Sequence, residues 1–164
     1  RLLCKYQMKI ISKLFVSLFY VGYFKIWPGT VASLISILII FPFINFNFFS
    51  DKIFIGFFIL IFLTSLFFIK KFSFFTKTHD SGIIVIDEFL GIYFIFIFYD
   101  FIYFKSSLLT LVLIFLLFRF FDIVKVFPAN IIDKKMNNPL GVLLDDIVAS
   151  IYTIIILYTF NVYS

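Results

Sequence analysis

Apolar and polar residues alternate in long blocks along this chain rather than residue by residue. Five strongly apolar stretches stand out, at roughly Val31–Phe49, Ile53–Ile69, Phe89–Phe104, Leu108–Phe118 and Ile147–Phe160. Their runs are continuous, which suits helices; barrel strands would alternate. Short polar breaks join the first two (Ser50, Asp51, Lys52) and the third to the fourth (Lys105, Ser106, Ser107). Such breaks fit tight turns between antiparallel helices. Longer polar stretches, Lys70–Glu88 and Arg119–Asp146, separate these pairs. The pattern predicts an all-α, multi-pass membrane bundle of about four to five apolar helices around a carboxylate-lined site. Residues 1–24 are expected to form a basic, amphipathic N-terminal segment and residues 25–164 the helical domain. Lys9 and Lys13 precede Leu14–Tyr20, but no small-residue cleavage site follows, so a signal peptide is not expected. Met8 is a candidate natural start.

Composition agrees with a lipid-facing exterior. Of 164 residues, 63% are hydrophobic and 14% charged, against about 45–50% and about 25% in soluble domains. The 29 Phe residues read as apolar filler and packing rather than as a binding box. A single cysteine, Cys4, excludes an internal disulfide.

Charge then orients the bundle. If both short turns face outside, they hold only Lys52 and Lys105 of the 14 basic residues. The other twelve lie opposite, which predicts that the long loops are cytoplasmic. The net charge of +5 therefore points to anionic lipid and not to nucleic acid. No obligate protein partner is expected. Seven of the nine acidic residues fall on the same side, Asp51 and Asp100 being the exceptions. Several apolar stretches are shorter than the roughly 20 residues of a spanning helix. Extending them takes in Asp87 and Glu88, or Arg119, Asp122 and Lys125. Ionisable residues at such positions are costly and are functional candidates.

Four constellations carry chemistry. In Lys25-Ile-Trp-Pro-Gly-Thr30, Pro28 and Gly29 break the chain and Thr30 is placed to cap the next helix. This is either a plain helix start or an anion site at a helix N-terminus. In Thr78-His-Asp through Ile86-Asp-Glu-Phe-Leu-Gly91, Asp87 and Glu88 are adjacent and flanked by apolar residues. They point about 100° apart on a helix, so both need partners or a metal unless they form a solvated loop end. Gly91, one turn later, is expected to leave room beside Asp87. His79 alone is weak and can simply lie in the loop. Arg119, Asp122 and Lys125 recur at i, i+3, i+6, as an intrahelical ion-pair ladder or as a metal-binding Asp with phosphate-binding cations. In Asn130-Ile-Ile-Asp133 through Pro139-Leu-Gly-Val-Leu-Leu-Asp-Asp-Ile-Val148, Asp145 and Asp146 form a second adjacent pair among aliphatics. Oxygen ligands without a Cys/His cluster favour Mg²⁺ over Zn²⁺.

Absent motifs narrow the chemistry. Cys4 lacks the Arg six positions on that a cysteine phosphatase uses, and a single His excludes two-histidine membrane phosphatases. There is no Asp-x-Asp nucleophile motif and no CDP-alcohol phosphotransferase signature.

The set resembles phosphatidylglycerophosphatase A, a bacterial membrane family that converts phosphatidylglycerophosphate to phosphatidylglycerol. The likeness runs from about Lys25 to Ala149. It rests on Pro28-Gly-Thr30, on His79-Asp with Ile86-Asp-Glu-Phe-Leu-Gly91, on Phe118-Arg with Asp122 and Lys125, and on Gly141-Val-Leu-Leu-Asp-Asp-Ile-Val-Ala149. Lys125-Val-Phe-Pro128 replaces the family's Lys-Pro-Trp-Pro, and Asn137-Asn-Pro139 replaces its Gly-Gly; the charged residues are intact. The resemblance implies Mg²⁺-dependent dephosphorylation of a phospholipid, with the active site on the cytoplasmic side of the bacterial inner membrane. Asp87, Glu88, Asp122, Asp145 and Asp146 are the candidate catalytic and metal-binding residues. Thr30, His79, Asp80, Arg119 and Lys125 are the candidates for holding the substrate. Two alternatives remain: a phosphatase for another lipid or prenyl phosphate, and a small ion or proton carrier using membrane-edge carboxylates.

Overall fold

A computed structural model describes residues 2–46, 48–76, 82–103, 106–136 and 138–163. Every regular element among them is helical. In chain order these are α1 (Leu2–Val16), a 3-10 turn (Val21–Tyr23), α2 (Pro28–Asn45), α3 (Asp51–Thr76), α4 (Ile86–Ile97), α5 (Tyr99–Ile102), α6 (Ser107–Val124), α7 (Ala129–Lys135) and α8 (Pro139–Tyr163). Helices α2, α3, α6 and α8 are long and apolar enough to cross a membrane. Their outer faces carry exposed apolar side chains, among them Leu34, Leu38, Leu63, Leu116 and Ile155. Such faces suit hydrocarbon, so the chain is a membrane protein.

Helix α4 forms the centre. Its 12 residues span only about 18 Å at 1.5 Å per residue, too little for a bilayer core of about 30 Å. Leu90, Ile92, Ile95 and Phe96 are all buried, so α4 hides several of its faces. It packs against α2, α3 and α8. The expected span Phe89–Phe104 is therefore broken: α4 ends at Ile97 and fills the bundle interior, and Phe98 separates it from α5, which buries Tyr99 and Ile102 but exposes Asp100 and Phe101. Small buried residues let the helices approach. Ser33, Ser36, Ser150 and Thr153 are buried and return their hydroxyls to carbonyls one turn back.

Element ends differ from the apolar runs for physical reasons. Helix α2 begins at Pro28, because proline suits the first helical position, where its missing N–H costs nothing. Trp27 therefore holds the cap position, and Thr30 lies inside the first turn instead of capping it. Asp51 and Lys52 open α3 rather than forming the turn, and α3 continues past Ile69 to Thr76. Helix α6 runs on past Phe118 to Val124, taking Arg119 and Asp122 with it. Helix α8 starts at Pro139, well before Ile147. Ser106 accepts from the Leu109 N–H to cap α6, and Asn138 accepts from the Gly141 N–H at the start of α8.

The topology sorts the ends. The start of α2, the start of α4, the end of α6 and the start of α8 meet at one cleft. The end of α2, the start of α3 and α5 meet at the opposite end, where Asp51 and Asp100 line a small crevice.

Candidate active site

The cleft has a volume of about 810 Å³ and collects charge from four directions. Asp87 and Glu88 come from the first turn of α4. Arg119 and Asp122 come from the last turns of α6, and Asp145 and Asp146 from α8. Lys125 and Asp133 come from the α6–α7 turn and from α7, while Pro28, Gly29 and Thr30 supply the α2 wall. Of the residues singled out by sequence, Thr30, Asp87, Glu88, Arg119, Asp122, Lys125, Asp145 and Asp146 all line this cleft. His79 and Asp80 lie outside the described residues.

Two ion-paired groups flank an unpaired one. Arg119 Nη1 pairs with the Asp122 carboxylate and lies 3.8 Å from Glu88 Oε1. Lys125 Nζ contacts Asp133 at 2.5 Å and Asp145 at 3.0 Å. Burial opposes the charge on Lys125, but those two carboxylates outweigh it and hold the ammonium above its ordinary pKa. Among the described residues no cation pairs with Asp87 or Asp146. Yet Asp87, Glu88 and Asp146 place one carboxylate oxygen each within 4.8 Å of one another. Asp146 is buried, and its Oδ2, like Glu88 Oε2, has no hydrogen-bond partner.

Like charges this close disfavour one another, and an unpartnered buried carboxylate oxygen is expensive. A cation in their midst removes both costs. The donors are all oxygens, so the group fits a hard divalent ion. Arg119 Nε is likewise buried without a partner, leaving one guanidinium donor unspent beside this cluster.

The ladder reading of Arg119, Asp122 and Lys125 is half right. Arg119 and Asp122 pair at i, i+3. Lys125 does not continue the row, because α6 has ended and Lys125 adopts a left-handed conformation (φ 47°, ψ 62°). Its side chain turns to Asp133 and Asp145 instead. Gly91 does not leave open space beside Asp87. A Cβ there would lie 2.7 Å from the Phe118 ring and 3.1 Å from Ser150 Oγ. Close packing of helices, not ligand access, explains that glycine. Gly29 is the cleft glycine that meets the charged groups: a Cβ there would collide with Glu88 Oε1 and come within 3.1 Å of Arg119 Nη1.

Asp133 stands in the fourth constellation of the sequence but has no role assigned from it. Nothing in its spacing separates it from a solvated loop carboxylate; only the one-sided distribution of acidic residues points to it.

Comparison with known proteins agrees with the residues. The family model described as phosphatidylglycerophosphatase A matches residues 14–161. The phosphatidylglycerophosphatase A of Haemophilus influenzae is 34% identical over 131 residues, covering 80% of this chain and 77% of that protein. No solved structure matches the chain. A match of this extent, containing every described residue of the charged cleft, shows that the chain belongs to the phosphatidylglycerophosphatase A family.

Proposed function

We propose that this chain removes the terminal phosphate of phosphatidylglycerophosphate, releasing phosphatidylglycerol, and that it requires Mg²⁺ to do so. The observation that carries this reading is a close carboxylate group, Asp87, Glu88 and Asp146, of which only Glu88 meets a cation among the described residues, set beside Arg119 and Lys125 in one cleft at a membrane edge. A pure ion carrier has no use for two flanking cations; a phosphate ester does.

Asp87, Glu88 and Asp146 would hold the metal. A bound Mg²⁺ supplies Lewis acidity and charge neutralisation at the phosphate. Arg119 offers its unspent Nε–H to a phosphate oxygen while Asp122 and Glu88 fix its plane. Lys125 remains protonated between Asp133 and Asp145 and presents positive charge from the opposite wall. Gly29 keeps the first turn of α2 close to the Glu88–Arg119 pair, so that its backbone adds to the anion-binding wall. Asp122 and Asp145 complete the acidic set, and Thr30, His79 and Asp80 serve the head group. All of the described ones lie within 25–164; residues 1–24 precede them as a basic segment whose α1 packs along α3, with Val16 buried against Ile69 and Phe72. The basic residues gathered at the cleft end orient that end toward the cytoplasm, in a bacterial inner membrane.

The test is phosphate release from phosphatidylglycerophosphate by the full chain in lipid nanodiscs, with Mg²⁺ and with chelator. Release only with Mg²⁺ supports the reading. Release that persists in chelator removes the metal from it. Release from another lipid or prenyl phosphate alone transfers the site to that substrate.

A further inference from the structure

The cleft has an apolar side that the head group does not use. Trp27 and Ile123 line it, yet they are 74% and 69% exposed. Ile123 continues an exposed ridge of α6, and Trp27 stands at the cap of α2 above that helix's exposed side chains. Trp27 precedes Leu34 and Leu38 on α2, and Ile123 follows Leu116 and Phe120 on α6; all four of these neighbours are exposed. Phe115, one turn deeper on α6 than Arg119, also lines the cleft. The cavity therefore extends from the charged end along α6 as far as Phe115, beside the first turn of α2, and opens at the exposed Trp27 and Ile123.

We propose that this opening is a lateral portal: the lipid substrate enters from the bilayer between α2 and α6, with Trp27 and Ile123 at its mouth and Phe115 beneath its first acyl carbons. This rests on the lipid-phosphatase reading above. The physical reason is the cost of the alternative. Lifting two acyl chains into water to enter from the aqueous side exposes every methylene, at about 0.8 kcal/mol each. A portal on the lipid face lets the chains stay in the membrane while the head group slides to Arg119 and Lys125. Among the described residues, the wall around Asp133, Met136 and Asn138, from α7 and the turn after it, offers no comparable apolar path.

The chain contains a single tryptophan, and it stands at the mouth. Its emission can therefore be read without labelling. The probe is a non-hydrolysable phosphonate analogue of phosphatidylglycerophosphate, brominated near the head group on both acyl chains, in phosphatidylcholine nanodiscs holding the full wild-type chain. Emission from Trp27 should fall further with this analogue than with equally brominated phosphatidylcholine at the same mole fraction, and unbrominated analogue should restore it. A Trp27→Phe, Tyr158→Trp variant, with its tryptophan on the far end of α8, should show no such excess. Equal quenching by the two brominated lipids, or equal excess at both tryptophan positions, overturns the portal. Phosphate release from ordinary phosphatidylglycerophosphate, measured in parallel, separates the two readings. Release without selective quenching refutes the portal alone, and absence of release refutes the substrate assignment beneath it.

Discussion

Ser150 Oγ lies 2.8 Å from the carbonyl oxygen of Gly91, joining α8 to α4. It lies 2.7 Å from the carbonyl oxygen of Asp146, one turn back on its own helix. Gly91 stands one turn after Asp87, and Ser150 one turn after Asp146. The contact therefore fixes the register that sets those two carboxylates side by side. The fold is built to hold like charges together at this point, which a helix pair chosen for stability alone would avoid.

Gly91→Ala tests that register. The added Cβ meets the fully buried Phe118 ring, which has nowhere to retreat. Overpacking of this kind costs about 1–3 kcal/mol. The expected outcome is a lower unfolding midpoint in detergent and a disproportionate loss of phosphate release, because α4 moves away from α8. Ser150→Ala, which removes one interhelical hydrogen bond, should cost only about 0.6 kcal/mol. An Ala at position 91 that leaves activity intact would show that the register is not critical.

Asp146→Asn tests the metal group. Removing one buried negative charge relieves repulsion with Asp87 and Glu88, so the variant should be at least as stable as wild type without metal. Wild type should gain stability with Mg²⁺, by about 2.7 kcal/mol at 100 times its dissociation constant. The variant should gain little and release no phosphate. Equal stabilisation of both proteins by Mg²⁺ would place the ion elsewhere.

The membrane makes some of this architecture legible in the sequence. Continuous apolar runs and one-sided basic residues are forced by the bilayer, so helix class and the site end follow from them. Asp87, Glu88, Asp145 and Asp146 stand out because carboxylates between aliphatic residues need a reason. Helix ends are less legible: the apolar run stops at Phe118, although α6 continues to Val124 and carries Arg119 and Asp122 into the cleft. A three-residue spacing puts Lys125 on the α6 face, because it says nothing about where the helix stops. The break at Phe98 carries no proline or glycine to announce it. The role of Gly91 depends on Phe118 and Ser150, distant in sequence, and no local pattern reveals them.

Gly29→Ala should separate the site from the scaffold. Gly29 is buried at the start of α2, but its Cβ would meet the tips of Glu88 and Arg119, not the packed core. Flexible side chains can give way, so the unfolding midpoint should change little. The Glu88–Arg119 pair must then move into the cleft. The expected result is a fall in kcat/KM with near-normal thermal stability; a large stability loss with normal kcat/KM would make Gly29 a packing residue only.

Lys125 and Asp133 give the last prediction. The carboxylates of Asp133 and Asp145 raise the Lys125 pKa above its ordinary 10.5 despite partial burial. A raised folded-state pKa means that the stabilisation is complete below the unfolded value and is lost only as pH rises through the folded one. Lys125 thus stays charged through the physiological range, and any decline of activity between pH 7 and 9 must come from another group. Asp133→Asn removes one of its two anchors and lowers its pKa toward the ordinary value. Lys125 should then react faster with an amine-acylating reagent at alkaline pH, read by mass spectrometry of the modified peptide. Lys125→Met removes the charge itself and should cost about 1.5–3 kcal/mol of phosphate binding, roughly 10- to 150-fold. A Lys125→Met enzyme with unchanged KM and kcat would mean that this lysine only ties α7 to α8.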